Sequence, residues 1–148
     1  MVRTLWNERD RRALDDRLAR LRPDARSLWG SLDAPRMLCH VTDAVRSATG
    51  DVACAPKPGP LRYPIVKSLV MFYLPWPKGV PTAPELLIRK PEAWDTEVAR
   101  FRAAVGALTG RAQDGPWPVH AAFGKLSGAQ WGRLLYRHTD HHFKQFGV

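Results

Sequence analysis

Apolar residues in this chain recur three or four positions apart, the spacing of helices, and almost nowhere in strict alternation. Asn7 is placed to cap a first helix whose stripe runs through Leu14, Leu18 and Leu21 and ends before Pro23. A second helix begins near Asp33, with Pro35 at its first helical position. It carries Met37, Val41, Ala44, Val45 and Ala48 as far as Gly50. Residues 51–60 hold three prolines and read as a loop around Cys54. Leu61–Leu74 reads as a short buried helix despite its β-branched residues, and 75–91 is too rich in proline for regular structure through its first half.

The clearest helix opens at Pro91. Trp94, Val98, Phe101, Val105 and Leu108 fall at i, i+4, i+7, i+11 and i+14, one apolar stripe that Gly110 closes. A loop rich in Gly and Pro runs through Gly124. The last helix starts at Ser127, with Gln130 three residues on as a capping box, and ends at Gly147. No internal repeat is visible. Four or five helices joined by proline-rich loops predict an all-α fold, an antiparallel bundle. At 148 residues the whole chain, 1–148, is expected to form a single domain.

Composition supports a soluble globular protein, with 45% apolar and 25% charged residues. The longest apolar stretch, Leu61 to Trp76, is interrupted by Arg62, Pro64, Lys67 and Pro75, so no membrane span is expected. The first residues lack the apolar core of a signal peptide, and two cysteines are too few for a disulfide scaffold. A cytoplasmic protein with free thiols is the expectation. The net charge of +9 invites a nucleic-acid reading. The excess is spread, however, as +3 over 1–50, +4 over 51–90 and +2 over 91–148, with no basic arm or run. Solvated arginine-rich helix faces account for it better than a nucleic-acid interface.

Candidate chemistry concentrates in the last helix. At about 100° per residue, Trp131, Leu134, Leu135, His138, His142, Gln145 and Phe146 share one face. The stripe that should point to the core therefore ends in imidazoles and an amide. His138 and His142 have the i, i+4 spacing that lets two imidazoles bind one metal, and His141 on the flank competes for the second position. The segment lacks the glutamate that zincin proteases place after the first histidine, which excludes that class. A third ligand would come from His40 or His120. His120 lies in a loop and reads better as a cap for a backbone group. His40 lies off the flank of the second helix's stripe, with Arg36, Asp43 and Ser47 continuing its polar edge at helical spacing. That edge is either a solvated face or the rim of a cleft, with Asp43 as second shell or proton acceptor; periodicity alone does not choose.

Asp33-Ala34-Pro35-Arg36-Met37-Leu38-Cys39-His40-Val41-Thr42-Asp43-Ala44, together with His138-Thr139-Asp140-His141-His142-Phe143-Lys144-Gln145, resembles the DinB-like (YfiT-like) superfamily. The chain is especially similar to an uncharacterised branch ending in a histidine-rich Gln-Phe-Gly segment. Leu74-Pro75-Trp76-Pro77-Lys78-Gly79 and Phe123-Gly124-Lys125-Leu126-Ser127 match loops of that branch, so the likeness covers nearly the whole chain. The resemblance implies a four-helix bundle of up-down-down-up type. It implies a divalent metal on His40, His138 and His142, with Gln145 matching the glutamine that follows the last ligand. Better-understood members are metal-dependent thiol transferases, isomerases and hydrolases, several using a low-molecular-weight thiol as co-substrate.

The expected function is thus metal-activated attack by thiolate or hydroxide on a small electrophile. Asp43 is the candidate base, Arg36 or Arg62 the candidate holder of an anionic group, and Trp76 or Trp117 the candidate lining of the cleft mouth. Zinc, nickel, iron and manganese all suit imidazole ligands. The alternative is a non-catalytic, stress-related metal- or ligand-binding module of the same fold. The resemblance also implies a homodimer through helix faces. Trp94, Phe101 and Trp131 are expected in the core, and Cys39 is expected as a small buried residue rather than a ligand.

Overall fold

Local capping signals set the helix starts. The computed structural model describes residues 2–148, among which there are five α-helices and no strand. They are α1 (Glu8–Arg20), α2 (Ala34–Thr49), α3 (Pro64–Ser68), α4 (Trp94–Thr109) and α5 (Gly128–Gln145). Asn7 and Asp33 accept from the backbone N–H groups of Asp10 and Arg36, as their cap positions require. Ser127 and Gln130 form the full capping box of α5. Pro35 is the second residue of α2 rather than the first, and α4 begins three residues after Pro91, with Ala93 at its cap. Among the described residues no helix is long and apolar enough to cross a membrane.

α2 is the centre of the packing. It lies against α4 and α5, while α1 lies against α5. Every residue of α2 from Met37 to Val45 is buried, including His40, Thr42 and Asp43. The polar edge of α2 is therefore not a solvated face; Arg36 alone of its candidates stays exposed. On α5 Gly132 is where the N-terminal segment crosses, because a Cβ there would stand 2.3 Å from the Trp6 indole nitrogen.

Leu61–Leu74 is helical but not buried. It splits into a 3-10 turn at Pro60–Arg62, α3, and a π-helical turn at Leu69–Tyr73, with Met71 its one buried residue. Tyr63, Ile65, Leu69, Phe72, Tyr73 and Leu74 face outward. The carbonyls that end this helical segment have no partner within it, as at any helix C-terminus. The Arg133 and Arg137 side chains of α5 donate to those of Met71, Val70 and Leu74 instead.

The inward face of α4 is also rotated from the apolar stripe. Glu97, Phe101, Ala104 and Leu108 are buried, whereas Trp94, Val98 and Val105 are half-buried at its edge. Glu97 is fully buried because Arg89, from the loop before α4, donates to both its carboxylate oxygens at 2.9 and 2.8 Å. The same guanidinium donates through Nε to both oxygens of Asp43 at 3.1 and 3.2 Å. Arg46 and Arg100 complete the set, at 3.2 Å from Asp43 and 3.0 Å from Glu97. This ion-pair chain ties α2, α4 and the 75–91 connection together. Removing Arg89 would leave the buried Asp43 and Glu97 only the more exposed Arg46 and Arg100 as partners. Arg89→Ala is expected to cost about 3 kcal/mol or more in urea unfolding; a loss below about 1 kcal/mol, the worth of a surface pair, would contradict this reading.

Candidate metal centre

α2 and α5 face each other across a cavity, and the histidines of both helices point into it. His40 is 2% exposed. Its Nε2 lies 2.9 Å from Nε2 of His138, which lies 3.2 Å from Nε2 of His142. The three rings are nearly perpendicular to one another, at 76–88°, with centroids 4.8 Å apart in every pair. One ligand atom from each lies within 4.8 Å of the others.

The 2.9 and 3.2 Å separations from His138 are those of neighbouring ligands in a cation's first shell. Nitrogens held about 2.0–2.1 Å from one ion stand roughly 2.9 Å apart at right angles and roughly 3.3 Å apart at the tetrahedral angle. A proton can bridge two of the nitrogens but cannot serve three. Three unprotonated Nε2 atoms aimed at one point fit a divalent metal.

The surroundings hold the His142 ring in the ligating tautomer. Gln145 donates its amide to the carbonyl of Trp29 at 2.6 Å, which turns its Oε1 toward His142. The Nδ1–H of His142 donates to that oxygen at 2.8 Å, leaving Nε2 free to ligate. Leu28 N–H donates to the Gln145 carbonyl at 2.7 Å, so the α1–α2 connection is pinned to the end of α5. Gly30, at φ +77°, allows this approach, because a Cβ would stand 2.7 Å from the Gln145 amide. Nδ1 of His40 is buried without a full hydrogen bond; the Leu86 carbonyl on that side favours its protonated ring at a geometry short of one.

Burial keeps all three imidazoles neutral. It pushes His138 well below its ordinary value, aided by the neighbouring His40 and His142, and His142 down to about 3. His40 is lowered by the same cause.

The remaining candidates divide. Trp76 lines the cavity with its ring 5.7 Å from that of His138 and 6.3 Å from that of His141. His141 stands at the cavity edge, 5.6 Å from the ring of Trp29, outside the ligand triangle. His120 is not a third ligand: its Nδ1 accepts the N–H groups of Ala122 and Phe123, both at 3.1 Å. Asp43, expected as a base, has both oxygens taken by Arg89 and does not line the cavity. Arg36 pairs with Asp33 on the outside of α2, and Arg62 donates to the Ala121 carbonyl; neither lines the cavity. Trp117 donates to the Gln113 carbonyl and packs edge-on to Trp6, away from the mouth. Cys39 is buried as expected, its thiol pushed up to about 12 by burial. Trp29 had no signal beyond its place near a helix end, yet its carbonyl orients Gln145.

No family model matches the chain, and no curated protein or solved structure does so either.

Imidazoles whose folded values lie below the unfolded value of about 6.5 stabilise the fold above that pH and lose their contribution as pH falls toward the folded values. His120, pushed down to about 4 by burial and Lys67, behaves in the same way. The metal-free protein is therefore expected to lose stability from about pH 6.5 to 5, above the carboxylate range, by up to about 1.4 kcal/mol per pH unit for each such histidine. Urea midpoints across that window measure it. A flat profile would mean that the rings are not held neutral.

Proposed function

We propose that this chain is a divalent-metal protein of the DinB-like superfamily, a single-domain four-helix bundle of up-down-down-up topology, with His40, His138 and His142 holding the cation. The observation that carries the reading is the convergence of three imidazoles on the wall of a cavity, His40 buried and His138 and His142 half-buried, with the Nε2 of His138 2.9 and 3.2 Å from those of the other two. Supporting the bundle are the four long helices and the packing of α2 on α4 and α5 and of α1 on α5. A homodimer through helix faces belongs to the same proposal.

The cation, zinc or nickel foremost and iron or manganese next, supplies Lewis acidity and gives a water or a low-molecular-weight thiol nucleophilic character at neutral pH, which suits thiol transfer to a small electrophile or its hydrolysis. The chain's own residues position and exclude. Gln145 fixes the His142 tautomer, Trp29 fixes Gln145, and Trp76 covers His138. Asp43, Arg36 and Arg62 have no part in this proposal, because each is engaged away from the cavity.

A second reading, a non-catalytic metal- or ligand-binding module, is favoured by one observation. Glu85 is the one acidic residue lining the cavity among the described residues, and its carboxylate accepts the Ala55 N–H at 2.9 Å. Among the described residues no carboxylate stands free beside the triad; the unligated imidazole there is His141, its ring 5.2 Å from that of His142.

Elemental mass spectrometry on protein purified without a histidine tag tests the site. The wild type is expected to carry about one metal per chain, and His40→Ala, His138→Ala and His142→Ala each to lose it, whereas His141→Ala retains it. Full metal content in His40→Ala, or loss in His141→Ala, would overturn the ligand set. Thiol-transfer and hydrolase turnover by the loaded wild type, absent from His138→Ala, separates the enzyme from the binding module.

A further inference from the structure

The cavity beside the triad has a volume of about 1070 Å³, just above the range for sites that enclose drug-sized ligands. The sequence of α2 explains why it is open. His40 is followed at helical spacing by Ala44 and Ser47, and the helix ends at Gly50, so small groups face the Trp131, Leu134 and Leu135 side of α5. Two facing helices with nothing large on one side leave a slot, and connections at 52–57, 79–86 and 118–123 close it.

The walls are apolar, and charge is missing from them. Lys57 and Glu85 are the two permanently charged residues that reach the lining. Lys57 is exposed at the rim, and Glu85 is satisfied by the Ala55 backbone. His120, whose ring packs on Trp131 and Phe123, stays neutral, and burial raises the Cys54 thiol. Lys78, Arg137 and Lys144 line a separate pocket of about 310 Å³ behind Trp29, Trp76 and His141, and Arg62, which donates to the Ala121 carbonyl of the wall, does not itself line the slot. Lys78 stacks on the Trp29 ring there at 4.1 Å. An anionic group in the slot would lose its hydration and find no partner along the body of the site.

We propose that the slot binds an uncharged, mainly apolar small molecule whose body lies along Ala44 and Ser47 and whose single Lewis-basic group reaches the histidine triad, and that it rejects phosphorylated and carboxylated compounds of the same shape. The placement of the polar head rests on the metal reading; the apolar body and the charge discrimination do not. This is the reverse of the specificity that Arg36 and Arg62 would have given had they lined the site.

The test is a fluorescence titration of the full-length protein with N-phenylnaphthylamine and with its sulfonate, anilinonaphthalene sulfonate. The two probes share one aromatic body and differ by one charge. Each titration is run on metal-loaded protein and again after chelation. The neutral probe is expected to bind one site in both forms, with the sulfonate weaker by about tenfold or more. Ala44→Phe and Ser47→Phe, each checked for an unchanged thermal transition, should weaken the neutral probe by at least about tenfold, whereas Arg36→Ala should leave it unchanged. In the unmutated protein, bound N-phenylnaphthylamine should slow alkylation of Cys54, read by mass spectrometry. Equal affinity for both probes, no binding of the neutral probe, or binding indifferent to both substitutions and without Cys54 protection would overturn the proposal. The last result would place the probe on the exposed Tyr63, Ile65 and Tyr73 surface. None of these readouts depends on metal content, so the slot and the triad fail separately.

Discussion

A guanidinium shared by two buried carboxylates cannot leave without weakening the compensation of both charges in a medium of low dielectric. Arg89 is held in that way by Asp43 of α2 and Glu97 of α4, whose side chains are 4% and 0% exposed. The contact turns the Asp43 edge of α2 toward α4. His40, three residues earlier on the same helix, then faces α5. The loop that carries Arg89 is also the one whose residues 79–86 wall the cavity. The ion-pair chain thereby joins the helix that carries His40, α4 and the loop that walls the cavity.

The triad depends on that face of α2 and on α5 in equal measure. α5 supplies two imidazoles on successive turns, a property of helical spacing alone. It also supplies Gln145, which is useful only because the α1–α2 connection folds back to meet it. The resulting centre is a convergent set of imidazoles whose pKa values burial lowers. Such a set of donors would suit a borderline divalent cation. Chemistry there would be carried by the cation, since the carboxylates of this region serve the fold.

Local features were legible in the sequence. Asn7, Asp33 and Ser127 mark helix starts because capping involves neighbours three residues away, and the His138/His142 pair follows from one helical turn. Non-local features were not. A count of apolar positions passes over Glu97, although Glu97, Phe101, Ala104 and Leu108 follow the same helical period; its partner Arg89 comes from an irregular loop. The apolar run Leu61–Leu74 misleads because arginines of α5 hold its π turn at the surface. The choice between His40 and His120 was open to periodicity. Packing makes it, by turning His120 to its own loop amides and His40 to α5.

The most direct measurement of the central claim is X-ray absorption at the metal edge of zinc- or nickel-loaded, full-length protein. Three imidazole nitrogens at about 2.0–2.1 Å, with the rest of the shell made of non-protein light atoms, is the result this account predicts. A shell with fewer than three imidazoles, or one closed by a fourth protein donor, would contradict it.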